Sequence, residues 1–124
     1  MVKRARQKKH LQSIGKVAKL KIYNIEITDK AYEDMDSIYT YISEVLLEPV
    51  IAANKYDKIA DAIMTLDTMP DRIKITDSEP AHTLGLRPLI VDNYTVFFTI
   101  DSDTVFVVRV LYSASDISAR LAEE

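Results

Sequence analysis

The sequence predicts an α+β domain, a helical hairpin laid on an antiparallel sheet. Residues 29–68 place apolar side chains at steps of three and four, the period of a helix buried on one face. From residue 84 to 112 the pattern changes to three runs dense in β-branched and aromatic residues, separated by Asp92-Asn93 and by Asp101-Ser102-Asp103, residues suited to tight turns. Between the two patterns lies a loop over residues 70–83, with prolines at 70 and 80 and acids at 71, 77 and 79. At 124 residues and 48% hydrophobic composition the chain suits one domain with one core.

The head of the chain differs from its body. Residues 1–21 carry eight Lys or Arg and no acid, so of the 16 basic and 19 acidic groups the rest of the chain holds eight bases against all the acids. A basic head suits either a nucleic-acid-binding arm or a solvated tail. Residues 1–20 are accordingly taken as a flexible basic extension, in which Leu11, Ile14, Val17 and Ala18 share helical spacing, and residues 21–124 as the folded domain.

Within the domain, Ile22-Tyr23-Asn24-Ile25-Glu26-Ile27-Thr28 alternates apolar and polar, which suits a first strand with Tyr23, Ile25 and Ile27 on one face. Thr28-Asp29 offers an N-cap and a first-turn acid for a helix over 29–46, whose stripe is Ala31, Met35, Ile38, Tyr39, Ile42, Val45 and Leu46. Pro49 suits the first position of a second helix over 49–68, with Ala52, Ala53, Tyr56, Ile59, Ala60, Ile63, Met64 and Leu66 as its stripe. Strands over 84–91, 94–100 and 104–112 complete the meander, and a short helix closes the chain.

Several function classes are excluded or disfavoured by composition. No apolar run approaches the roughly 18 residues that a membrane helix needs, and the basic start lacks the apolar block of a secretory signal. With no cysteine the chain has neither disulfides nor thiolate metal sites, and cytoplasm is the default compartment. Two glycines rule out a Gly-rich phosphate loop. No metal or other cofactor is expected.

The order of elements and a set of short motifs together resemble the RelE/ParE superfamily of toxins from bacterial type II toxin-antitoxin modules, the plasmid-stabilisation type, over residues 22–121. The resemblance is carried by Tyr23-Asn24-Ile25-Glu26-Ile27-Thr28 with Ala31, by Ile38 with Tyr41-Ile42, by Pro49 with Ala52-Ala53, and by Leu66 with Met69-Pro70-Asp71-Arg72. It continues through Gly85-Leu86-Arg87-Pro88-Leu89, Asn93-Tyr94-Thr95-Val96-Phe97-Phe98, and Val108-Arg109-Val110-Leu111-Tyr112 to Asp116. It implies a growth-inhibiting toxin held in check by a cognate antitoxin, as a homo-oligomer or a hetero-oligomer with it. It leaves the target open between ribosome-dependent mRNA cleavage and inhibition of DNA gyrase without catalysis, and a degenerate, non-toxic member is a third alternative.

Metal-independent cleavage of mRNA on the ribosome is the first expectation. Attack of a 2′-hydroxyl on the adjacent phosphate needs a base, cations for the phosphorane charge and an acid for the leaving oxygen. The resemblance points to Arg87, Arg109 and Tyr112 as catalytic residues, with Arg72 and Lys74 as substrate-binding cations. Each has a structural alternative. Arg109 could pair with a carboxylate of a helix or of the Pro70–Pro80 loop, Arg72 could anchor its own loop, and Tyr112 could edge the core. His10 and His82 are too far apart in sequence to suggest a metal pair, and His82 is a minor candidate for a base. Strand alternation also sets Arg109 with Val107 and Leu111 on one side and Tyr112 with Val108 and Val110 on the other, unless the strand bulges or ends between them.

Overall fold

The computed structural model describes the backbone of residues 2–6 and all of residues 20–123. Its strands are β1 (Val2–Arg6), β2 (Asn24–Thr28), β3 (Arg87–Val91), β4 (Tyr94–Asp101) and β5 (Thr104–Tyr112), and its helices are α1 (Asp29–Thr40), α2 (Pro49–Met64) and α3 (Ile117–Leu121). The strands form one sheet in the order β1-β2-β5-β4-β3. The three-stranded meander is antiparallel throughout. β2, however, joins β5 in parallel, so the sheet is mixed rather than antiparallel. The passage through the hairpin and loop carries the chain to the far edge of the sheet, and the meander then works back until β5 starts beside the entrance of β2, so its first and third strands run the same way as β2.

Expected capping chemistry sets α1. The Thr28 hydroxyl oxygen accepts from the Ala31 N–H at 3.1 Å and donates to the Val108 carbonyl at 3.3 Å, so one side chain starts the helix and ties it to β5. α1 is shorter than the expected 29–46. Residues Tyr41–Val45 form a π-helical turn, with the Leu46 N–H reaching back to the Tyr41 carbonyl at 3.0 Å. Pro49 stands at the head of α2, which gives way at residue 65 to a 3₁₀ turn over Thr65–Asp67. The extra residue in the π turn rotates the end of the stripe out of register. Ala31, Met35 and Ile42 are buried, while Val45 and Leu46 are exposed although the periodicity placed them inside; Tyr39, which precedes the turn, is exposed as well.

Both faces of β4 are covered. Tyr94, Val96 and Phe98 pack with Ile25, Ile27, Met35, Ile59, Ile63 and Leu66 under the hairpin. Phe97 and Leu111 pack on the other face with Ala81 and Leu86 of the long loop and with α3. This explains why residues 94–98 are buried without interruption and why no basic residue could stand there. Among the described residues no helix is long and apolar enough to cross a membrane. Of the 1–20 extension, residues 2–6 are a strand paired to β2, and the remainder before Leu20, with the helical spacing of Leu11, Ile14, Val17 and Ala18 and with His10, lies outside the described residues.

Candidate functional site

β2 accompanies β5 only from Thr104 to Val107, after which the chain turns into α1 and leaves the outer half of β5 without a neighbouring strand on that side. A bulge falls at the same level: Phe98 faces Val107 and Phe97 faces Arg109, so Val108 is extra. Arg109 and Asp34 fill the place of the missing strand. The guanidinium donates from Nε to Asp34 Oδ2 at 2.7 Å and from Nη2 to Asp34 Oδ1 at 3.0 Å, a two-pronged contact with both side chains buried. Asp34 Oδ2 also accepts the Val110 N–H at 2.9 Å, the ladder bond that β2 no longer supplies. Arg109 Nη1 donates to the Arg120 carbonyl at 2.6 Å and Nη2 lies 3.5 Å from Glu123, which fastens the C-terminal helix to the same node. The hydrogen bond to Asp34, more than burial opposes it, holds the guanidinium proton even more firmly than usual.

This geometry places Arg109 in the interior, only 6% exposed and engaged with three partners. A phosphate could reach it only by displacing Asp34 and leaving that carboxylate buried and unpaired. The alternation expected on β5 is modified by the bulge, which moves Val108 to the side of Phe97 and Leu111; Val110 stays under the hairpin with Val107.

The remaining candidates lie apart. Arg87, at the start of β3, pairs in register with Phe98 in the middle of β4, and its Nη1 donates to the Ile73 carbonyl at 2.6 Å, holding the loop against β3. Tyr112 pairs with Tyr94 at the start of β4, on its opposite side. Four residues of strand and two inter-strand spacings put their Cα atoms about 17 Å apart. Arg72 donates to the carbonyls of Thr68 and Met69 at 2.9 and 3.0 Å and so anchors its own turn, where Met69 holds a left-handed backbone. Lys74 is exposed, and His82 lies 2.9 Å from the Thr76 carbonyl through Nδ1. Arg87 thus lies against the Arg72–Lys74 segment, while Arg109 is inside the fold and Tyr112 at the far end of β5. Among the described residues no three acids or histidines gather as a metal site.

The concave feature that Tyr112 does join is a groove of about 620 Å³ between the hairpin and the sheet end. Its walls are Ile38, Tyr41, Ile42 and Leu46 before the hairpin turn, Ile51 and Lys55 of α2, and Asn93, Tyr94, Val110 and Tyr112 of the sheet. Tyr112 is 45% exposed, and its ring meets that of Tyr94 edge-on at 5.8 Å. Burial pushes the Tyr94 phenol up, and the nearby Tyr112 and Tyr41 hydroxyls add to the shift. The lining cations are already paired. Lys55 reaches Asp92 at 2.7 Å, with Lys58 on the other oxygen at 2.9 Å, and Arg120 meets Glu123 at 3.2 Å. Beside the groove Val45, Leu47 and Val50 stand in solvent, Leu47 at 76% exposure with a left-handed backbone. Among the described residues such a surface offers apolar area and aromatic edges to a partner and no unpaired cation to a phosphate. Sequence reasoning missed it because helical spacing assigns Val45 and Leu46 to the core; the run Val45-Leu46-Leu47 ahead of Glu48-Pro49, too apolar for a surface turn, is the signal that could have revealed it.

Comparison with known proteins gives a consistent result. Residues 25–117 match the family model of the ParE toxin of the type II toxin-antitoxin system parDE. Among solved structures, a chain of the chromosomal ParDE TA system from P. aeruginosa superposes with a TM-score of 0.63 at 22% identity, covering 73% of this chain and 96% of that one. No curated protein matches the chain.

Proposed function

The chain belongs to the ParE toxin family of type II toxin-antitoxin modules, and from that premise we propose that it inhibits growth by binding a protein target, with DNA gyrase as that target, and cuts no RNA. The observation that supports this is the dispersal of the cations. Arg109 is held by Asp34 inside the fold, and Arg87 and Tyr112 lie on the two opposite sides of β4, about 17 Å apart, so among the described residues these candidates bring no base, acid and cation together on one phosphate. The acidic body opposes phosphate affinity as well, since that affinity scales with the cations presented.

In this reading the groove beside Tyr112 and the exposed residues Val45, Leu47 and Val50 form the contact surface for protein partners. A cognate antitoxin neutralises the toxin in the cytoplasm by folding an apolar segment onto that surface. Purified chain, freed from its antitoxin, tests the proposal in two parallel assays: supercoiling by gyrase and primer extension on ribosome-bound mRNA. Loss of supercoiling with intact mRNA is expected. Cleaved mRNA with normal supercoiling would overturn the proposal and return the target to the ribosome.

A further inference from the structure

The shared domain begins at residue 25 in the family match, and the P. aeruginosa chain accounts for 96% of its own length while covering 73% of this one. β1 lies outside the family match, yet it completes the sheet. It pairs antiparallel with β2 in the register Val2↔Thr28, Lys3↔Ile27, Arg4↔Glu26 and Arg6↔Ile25. Without it β2 would be an edge strand, Asn24-Ile25-Glu26-Ile27-Thr28, short, rich in isoleucine and carrying one charge. Such a strand presents unpaired N–H and C=O groups to any other extended chain, including the same strand of a second molecule. At the opposite edge the sheet is already blunted, because Pro88 removes a donor from β3.

We infer that Val2–Arg6 act as an internal edge guard: the N-terminus occupies the strand-addition site along β2 and thereby prevents two copies from joining β2 to β2. The occupant is suited to the task. Lys3, Arg4 and Arg6 put three cations into five residues, so the new edge, now formed by β1, repels a second β1. The thirteen residues from 7 to 19 leave enough chain for β1 to fold back on its own molecule, because loop-closure cost rises only slowly with length. The guard is independent of the target proposed above and of the groove, which lies at the far end of β5.

The absence of native cysteine makes the test direct. In the full chain, Arg4→Cys with Glu26→Cys sets two thiols opposite each other in the register. Mild oxidation should give an intramolecular disulfide in most molecules, against little in an Arg4→Cys/Asp101→Cys control. A predominantly intermolecular disulfide, or no excess over the control, would overturn the guard. The second arm places Glu26→Cys alone in two full-length backgrounds, one unaltered and one with Lys3→Pro and Arg4→Pro. The two prolines remove the ladder donor whichever of the neighbouring N–H groups faces β2. Two β2 edges paired about their centres bring the thiols together, so the crosslinked dimer should form on the order of tenfold faster in the proline background, with β2 amides exchanging faster to a similar degree. Equal crosslinking in the two backgrounds would refute the proposal even where both proteins also associate through the hairpin.

Discussion

Arg109 and Tyr112 stand three residues apart on β5 and occupy opposite environments. The arginine lies where β2 has left the sheet, buried, with Asp34, Arg120 and Glu123 around it. The tyrosine stands at the strand end, half in solvent, beside a groove of apolar and aromatic side chains. A surface that cuts RNA needs its cations outside, whereas here the strand cation is spent on holding the fold and the apolar area is left outside. The difference separates a structural node from a contact surface within one strand.

The largest effect is expected at the node. Arg109→Met leaves Asp34 buried without its partner and should cost about 3–5 kcal/mol in urea or thermal unfolding. Asp34→Leu combined with Arg109→Met should recover part of that loss, with the Val110 N–H and the Arg120 carbonyl still unpaired. A single Arg109→Met that leaves the melting temperature unchanged while abolishing toxicity would make the arginine a functional group after all.

At the groove the order of effects reverses. Ile51→Asp puts a charge into an exposed apolar wall, so stability should change by about 0.5 kcal/mol or less. Antitoxin affinity measured by calorimetry should fall about thirtyfold or more, the consequence of losing roughly 2 kcal/mol at a central contact. Unchanged affinity would move the contact surface elsewhere.

Much of the comparison was legible in the sequence, and the reasons for the gaps are physical. Turn chemistry at Asp92-Asn93 and Asp101-Ser102-Asp103 and the density of β-branched residues set the meander within a few residues, because local preference and burial agree there. Thr28 and Pro49 marked the helix starts for the same reason. Arg109 was expected either in catalysis or in a carboxylate pair, and its partner was within reach of inspection. Asp34 lies on the Ala31–Met35–Ile38 stripe, and a lone acid on an apolar stripe demands a buried cation such as the lone arginine of an apolar strand. The bulge at Val108, the π turn at Tyr41–Val45 and the pairing of β1 with β2 left no local signature, since each arises from how distant segments meet. The catalytic grouping of Arg87, Arg109 and Tyr112 came from resemblance to relatives, not from any spacing in this chain.

A smaller effect is expected at the rim of the groove. Lys55 and Lys58 hold the Asp92 carboxyl below its ordinary value of 3.8. The folded protein then binds that proton less readily than the unfolded chain, so the pair stabilises above the ordinary value and its contribution disappears as pH falls through the lowered one. Asp92→Asn should flatten the acid limb of the stability curve below pH 3.8 and leave it unaltered near neutrality apart from a constant offset. An unchanged acid limb would show that the two lysines do not bind Asp92 in solution.

The most direct test of binding against catalysis is the growth inhibition caused by the double variant Arg87→Ala/Tyr112→Phe, induced without antitoxin. Arg87 gives up one hydrogen bond to the loop, a loss of about 1–2 kcal/mol, and Tyr112 keeps its ring in the groove. The account predicts that the variant folds, binds its antitoxin and arrests growth as the parent chain does. Loss of growth arrest with folding and antitoxin binding intact would contradict it and identify the two side chains as parts of a catalytic site.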